Sequence, residues 1–210
     1  SGLDRLFLMR FFNDKPLIVV VTGGSPITMP EVDEIADAIL FAWYPGQQGG
    51  NAIADIIFGD ISPSGRLPVT FPLSVNQLPP YEDYSMQGRT YKYMTATPLY
   101  PFGYGLSYSR FEYGDIALSS TELQRGDDLE LAVTVRNVGD VDAEEVVQLY
   151  HSASDAEIDV PISTFIDFRR VQLSAGESKV LKFEVTPEQM QVFDAEGQRQ
   201  FTDGTHTLHV

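Results

Sequence analysis

The sequence contains no cysteine among its 210 residues. Disulfide bonds, thiolate nucleophiles and Cys-based metal sites are therefore excluded. Basic residues are scarce, because 14 Lys and Arg stand against 30 Asp and Glu, for a formal net charge of −16. Such a chain would repel phosphate groups, so we expect no nucleic-acid partner. The acidic side chains are best explained as a solubilising surface.

The sequence also has no long hydrophobic run. Its apolar stretches, such as residues 16–21, are far too short to cross a bilayer, and we expect no membrane span. The three histidines, His151, His206 and His209, lack the spacing of metal ligands, so we expect no metal. Gly23-Gly24 is not part of a nucleotide-binding glycine pattern, and we expect no cofactor.

The N-terminal part alternates strand-like and helix-like segments. Residues 17–21 form a continuous apolar run rich in β-branched residues, which predicts a strand covered on both faces. Helical spacing predicts a helix over 29–39, followed by an apolar strand over 39–44. A second helix is predicted over 48–58, with Gly59 just past its end. This alternation is typical of an α/β layer.

The pattern changes twice along the rest of the chain. Residues 59–108 have little periodicity and are rich in Pro, Gly and Tyr, which favours an ordered crossing over a flexible linker. After Phe111 the hydrophobic period becomes two, and a β-sandwich is predicted. The predicted strands are 129–135, 146–150, 165–173, 180–185 and 205–210, with a single helical turn at 187–190.

Several long strings of residues carry a family resemblance. They are AWYPGQ at 42–47, FGD at 58–60, PSGRLP at 63–68, YPFGYGLSY at 100–108 and EVVQLY at 145–150. Together they resemble glycoside hydrolase family 3, the family of β-glucosidases and β-xylosidases. The resemblance divides the chain into the end of an α/β sandwich domain (1–72), an aromatic interdomain segment (73–108) and a fibronectin type III-like, immunoglobulin-like β-sandwich (109–210).

The resemblance implies that the catalytic residues lie elsewhere. Family members usually begin with a barrel that carries a nucleophilic Asp, and their α/β domain supplies the acid/base Glu. No barrel is present here, and Asp4-Arg5 resembles a segment that follows the acid/base Glu. Both carboxyl groups are therefore expected upstream of Ser1, and no residue of this chain is assigned as catalytic. The partner implied is the N-terminal barrel domain of the same protein.

One departure from the family pattern lies near the start. Only residues 6–15 separate Arg5 from Pro16, where the family places a longer helix containing Pro-Gly. Either a helix has been shortened or residues are missing. The resemblance further implies a periplasmic or secreted protein that acts on oligosaccharides, and a homodimer is one assembly to consider.

Four residues are candidates for substrate binding: Asp4, Trp43, Arg89 and Tyr91. Arg89 and Tyr91 lie in a Gly-Arg-Thr-Tyr stretch similar to that of β-xylosidases, and they would supply a donor fork and a ring face. The alternative is that these aromatics hold two domains together. Trp43 follows a strand, at the ligand-facing edge of an α/β sheet, but a core role is as well founded. Asp4 is equally explained by an ion pair with Arg5.

Two functions remain open from the sequence. In the first, the chain is part of an exo-acting retaining β-glycosidase that hydrolyses terminal β-D-glucosyl or β-D-xylosyl residues of oligosaccharides. Such an enzyme needs two carboxyl groups about 5–5.5 Å apart. In the second, the chain by itself is a non-catalytic carbohydrate-binding or structural module.

Overall fold

The computed structural model describes residues 2–12, 14–124, 126–154, 158–194 and 196–210. The chain divides by its internal contacts into two compact units. The first comprises Ser1–Ile61, Leu67–Thr90 and Met94–Tyr104, and the second comprises Ser62–Arg66, Tyr91–Tyr93 and Gly105–Val210. None of the helices in the described ranges is long and apolar enough to cross a membrane.

The first unit is a small α/β layer. Its elements are α1 (Gly2–Phe12), β1 (Ile18–Thr22), α2 (Pro30–Ile35), β2 (Ala38–Trp43) and α3 (Gly49–Phe58). The strands β1 and β2 pair in parallel, with Val19 opposite Ile39. Gly59 ends α3 in the left-handed conformation, at φ 84°, as predicted. The predicted order of strands and helices is confirmed, and the short N-terminal stretch is helical.

Two details of the prediction are wrong. The helix predicted over 29–39 ends at Ile35, because Ala36 turns the backbone to an extended conformation. Asp37 then fixes the turn: its carboxylate accepts the N–H of Leu17 at 2.7 Å, so Ile39 already lies in β2. The strand β1 is not covered on both faces either, since Ile18 is 43% exposed.

The core of the first unit is small, and one of its buried side chains comes from the irregular stretch 59–108. Its buried side chains are Met29, Val32 and Phe71. Phe71 lies in the crossing, where its N–H donates to the carbonyl of Tyr100 at 2.8 Å. Two short helices also interrupt the crossing, a 3-10 turn at Val75–Gln77 and α4 at Thr90–Tyr93.

The second unit is an antiparallel β-sandwich, which confirms the predicted class. Its strands are β3 (Phe111–Leu118), β4 (Leu129–Asn137), β5 (Ala143–Ser154), β6 (Thr164–Leu173), β7 (Ser178–Val185), β8 (Val192–Phe193), β9 (Arg199–Gln200) and β10 (Thr205–His209). One sheet has the order β3-β4-β7 and the other β10-β5-β6, while β8 pairs with β9. The predicted helical turn is a 3-10 turn at Pro187–Met190.

The sandwich core follows directly from strand alternation. In β4, every second residue from Leu129 to Asn137 is buried. The cluster is closed by Val147, Leu149, Val171, Leu173, Phe183, Val185 and Met190. Inward apolar side chains of both sheets therefore form one core, as the period-two pattern predicts.

Candidate functional site

Trp43 ends β2 with an unusual backbone. Its φ is 50°, in the left-handed region that bulky residues rarely adopt, and its carbonyl accepts the N–H of Gly23 at 3.2 Å. The indole packs edge-on against Phe41, with ring centroids 4.6 Å apart, and against Phe71 at 6.3 Å. The side chain thus belongs to the apolar cluster of the first unit, while the strained backbone lies at the carboxyl edge of the sheet.

Tyr44, which the sequence argument did not select, is the exposed aromatic at this edge. It is 80% exposed, and its ring lies against the backbone of Gly24. A Cβ at Gly24 would come within 2.7 Å of that ring, so a larger residue at this position would displace the exposed tyrosine side chain. The carboxyl ends of β1 and β2 therefore lie side by side, at an edge of the sheet that carries one exposed tyrosine.

Arg89 is held by backbone carbonyl groups of its own loop. Its guanidinium donates to the carbonyls of Pro80 at 3.1 Å, Asp83 at 2.5 Å and Ser85 at 3.2 Å. The fork that was expected to bind sugar hydroxyls or a carboxylate thus organises the loop. We define residues 80–89 as the Arg89 loop.

Tyr91 is tied to the sandwich. Its hydroxyl accepts the N–H of Phe165 at 3.1 Å, and its ring meets that of Tyr150 edge-on at 6.2 Å. Tyr91 belongs to the second unit, whereas Arg89 belongs to the first. The structure therefore gives the two residues of the Gly-Arg-Thr-Tyr stretch different surroundings, with Thr90 between them at a left-handed φ of 56°.

Asp4 lies in the first turn of α1, where an acidic side chain is favoured by the helix dipole. Its side chain is exposed. Among the described residues, no three His, Asp or Glu side chains come together as a metal site would need.

A buried ion pair in the second unit was missed by the sequence argument. One terminal nitrogen of Arg66 donates to both carboxylate oxygens of Glu145 at 2.8 Å, and the side chains are only 13% and 6% exposed. The hydroxyl of Tyr113 donates a hydrogen bond to the same carboxylate at 3.1 Å. Burial and the nearby Glu145 carboxylate raise the pKa of Tyr113, so its hydroxyl stays a donor.

A second network lies beside the first. The buried hydroxyl of Ser64 donates to Glu144 at 3.1 Å and accepts from Arg170 at 2.7 Å. Close backbone packing supports this arrangement, since a Cβ at Gly105 would lie 2.3 Å from the carbonyl oxygen of Gly65. Ser64 and Arg66 of the PSGRLP string therefore bind charged side chains of the sandwich. The corresponding feature of the sequence is Glu145, a charged residue at an inward position of β5.

Two histidines form a hydrogen-bonded chain at one end of the sandwich. Nε2 of His151 lies 2.8 Å from Nδ1 of His206, whose Nε2 lies 2.9 Å from the carbonyl of Thr202. The carbonyl accepts only, so neutral His206 carries its proton on Nε2 and His151 donates to it. Burial, together with His206 and His209, lowers the pKa of His151 to about 4.

Two protein-family models match the chain, one in its N-terminal half and one in the sandwich. Residues 9–108 match the glycosyl hydrolase family 3 C-terminal domain, and residues 145–210 match the fibronectin type III-like domain. The periplasmic β-glucosidase of Salmonella typhimurium is 39% identical over 86% of this chain and 25% of its own length. The xylan 1,4-β-xylosidase of Xylanibacter ruminicola is 42% identical over 87% of the chain and 21% of its own length.

Solved structures of family 3 β-glucosidases are similar to this chain as well. The family 3 β-glucosidase of Bifidobacterium adolescentis superposes with a TM-score of 0.86 at 30% identity, covering 98% of this chain and 32% of that protein. The chain spans about a quarter of the length of the curated relatives it matches. It belongs to glycoside hydrolase family 3, of which it holds the C-terminal α/β region and the fibronectin type III-like sandwich.

Proposed function

We propose that this chain is part of an exo-acting retaining β-glycosidase that removes terminal β-D-glucosyl or β-D-xylosyl residues from oligosaccharides. One observation carries the proposal: similarity runs along nearly the whole chain, at 34–42% identity, to proteins named β-glucosidase or β-xylosidase. The nucleophilic Asp and the acid/base Glu are then supplied by sequence before Ser1, within a barrel and the earlier part of the α/β domain.

The exposed apolar surface of the first unit supports the proposal that a further part of the α/β domain precedes this chain. Ile18 and Val20 leave one face of β1 open, at 43% and 38% exposure, and Phe58 at the end of α3 is 82% exposed. A parallel sheet is normally covered on both faces. We propose that the preceding part of the α/β domain packs on this face in the complete enzyme.

Within that enzyme the role of the chain is to support the active site and to supply part of its edge. We propose that Asp4, Trp43, Arg89 and Tyr91 contribute to this edge. Arg89 would contribute by holding the conformation of its loop, and Trp43 lies at the strained end of β2. Tyr91 lies against the sandwich, and Asp4 lies in the first turn of α1. We retain the domain limits 1–72, 73–108 and 109–210 as part of the same proposal.

A periplasmic or secreted location is also proposed. It is supported by the relative from Salmonella typhimurium whose name includes that compartment. A homodimer stays a prediction, to be tested by sedimentation of the complete protein.

The activity is tested on the complete enzyme with aryl β-glucoside, aryl β-xyloside and the matching aryl α-glucoside. We expect hydrolysis of at least one β-linked substrate, with retained configuration at the anomeric carbon by NMR, and no hydrolysis of the α-glucoside. Inversion of configuration or preference for the α-linked substrate would contradict the proposal. The ratio of kcat/KM between the two β-substrates decides between glucosidase and xylosidase.

A further inference from the structure

One end of the sandwich contains a cleft with a volume of about 390 Å³. It lies where β3 ends at Leu118, β4 begins at Leu129 and β10 begins at Thr205, and the 3-10 turn at Pro187–Met190 lines it as well. All of these residues belong to the second unit. Sites for small organic ligands have volumes of about 300–1,000 Å³, so the cleft is large enough for one.

The inner surface of the cleft is apolar. Leu129 and Met190, which are 5% and 7% exposed, belong to the sandwich core and form its floor. Leu118, Leu123 and Phe201 line its sides, and the two leucines are still 41% and 38% exposed. Such side chains gain free energy when the apolar part of a ligand covers them.

The rim of the cleft is acidic. Asp127 and Asp203 are exposed, and no Lys or Arg lies among the described residues that line the cleft. Oδ2 of Asp127 accepts the N–H of Gln124 at 2.8 Å, whereas Asp203 has no hydrogen-bond or ion-pair partner among the described residues. The segments 120–128 and 201–206, which carry both carboxylates, contain four acidic residues and one basic residue.

The polar groups of the lining favour a ligand that donates hydrogen bonds. Carboxylates only accept, and the single N–H of neutral His206 is already donated to the carbonyl of Thr202. The hydroxyl of Thr202 is buried and has no partner among the described residues. An ammonium group supplies three donors and no acceptor, so it matches this lining.

Other classes of ligand fit less well. An anion would be repelled by the rim carboxylates and by the formal charge of −16 on the chain. A neutral sugar has hydroxyl groups over most of its surface, and burying them against the aliphatic floor would cost their hydration. The cleft therefore combines an apolar floor with a rim that attracts positive charge.

We propose that this cleft binds a small organic cation, namely a primary ammonium group on an apolar alkyl or aryl body. The ammonium group is attracted to the carboxylates of Asp127 and Asp203, and the body packs on Leu123 and the floor. Binding at this site does not require the proposed β-glycosidase activity, which depends on carboxyl groups expected before Ser1.

The test is calorimetric titration with three compounds that share a phenethyl body and differ in charge: phenethylammonium, phenethyl alcohol and phenylpropionate. We expect the ammonium compound to bind about tenfold more tightly than the alcohol, and the carboxylate compound not to bind. The complete enzyme and the 210-residue chain are titrated side by side. Because the chain has no assigned catalytic carboxyl group, binding of the amine at such groups would appear in the complete enzyme alone.

Matched variants locate the site. Asp127→Asn/Asp203→Asn keeps an oxygen for the N–H of Gln124, and it should weaken binding of the ammonium compound about tenfold while changing that of the alcohol less than about twofold. Asp140→Asn removes an exposed carboxylate from the β4–β5 turn, at the other end of β4, and should change neither. Leu123→Gln should weaken both compounds about threefold, because it removes part of the apolar wall.

Three results would overturn the inference. The first is an ammonium compound that binds the unaltered protein no more tightly than the alcohol or than glucose. The second is an equal loss of ammonium binding in Asp140→Asn and in the double variant, since the effect would then come from net charge alone. The third is binding by the complete enzyme but not by the folded 210-residue chain. The charge series on the unaltered protein needs no variant, so it decides even if a substitution impairs folding.

Discussion

The two units differ in how completely they enclose their apolar side chains. In the second unit, two sheets close around a cluster that includes Leu131, Leu149 and Phe183, each with no exposed surface. In the first unit, Met29, Val32 and Phe71 are buried on one side of a two-stranded sheet, and Ile18 and Val20 stay open on the other.

The difference indicates which unit buries enough apolar surface within this chain to be stable by itself. A sandwich gains free energy from both of its sheets, whereas a half-covered parallel sheet gains it from one face. We therefore expect the second unit to be the more stable part of the isolated chain, and the first unit to depend on sequence that the family supplies before it. The following changes test this comparison.

Phe183→Ala should have the largest effect. Removing a fully buried ring leaves a cavity and costs about 3–5 kcal/mol of unfolding free energy. Urea unfolding followed by circular dichroism in the β-sheet region should show the loss. Val180→Ala on the same strand, at 62% exposure, is the matched control and should cost less than about 1 kcal/mol. Equal losses for both variants would contradict a closed sandwich core.

Arg66→Met should come next. It leaves the buried Glu145 carboxylate without its cation, which costs about 3 kcal/mol. The double variant Arg66→Met/Glu145→Leu should recover most of that loss, since both charges are then gone. Lys182→Ala breaks the exposed pair with Glu130 and should cost less than about 1 kcal/mol. An Arg66→Met variant as stable as the control would show that the Arg66–Glu145 pair does not stabilise the second unit.

These two predictions also show what the sequence could reveal. The alternation of Leu129, Leu131, Val133 and Val135 is local, so the buried face of β4 was predictable. The pairing of Arg66 with Glu145 joins residues 79 apart, and no local pattern encodes it. The acceptors of Arg89 are backbone carbonyls, which every residue has, so the sequence pointed to Arg89 without showing what its guanidinium binds. The early end of α2 depends on Asp37 meeting Leu17, which is likewise a tertiary contact.

Acid should weaken the second unit through His151. An unfolded histidine binds a proton near pH 6.5, whereas the buried side chain does so only near pH 4. The unfolded state is therefore stabilised as pH falls from about 6.5 to 4, and the contribution at pH 5 is about 2 kcal/mol relative to pH 7.5. Comparing urea unfolding at these two pH values checks it. His151→Gln should lose about that much less stability on acidification, and an unchanged pH dependence in this variant would contradict the assignment.

Val20→Thr should have the smallest effect in the isolated chain. Val20 is on the open face of β1, so we expect a change below about 0.5 kcal/mol, measured by urea unfolding. The same substitution in the complete enzyme should cost clearly more, if the preceding part of the α/β domain covers this face as we propose. An equal effect in both proteins would show that the face stays exposed.

The most direct test of the account is an activity assay of the 210-residue chain beside the complete enzyme, each confirmed as folded by circular dichroism. The account predicts that the complete enzyme hydrolyses an aryl β-glucoside or aryl β-xyloside and that the chain alone does not. Turnover by the chain alone would contradict it, because the two catalytic carboxyl groups would then lie within Ser1–Val210.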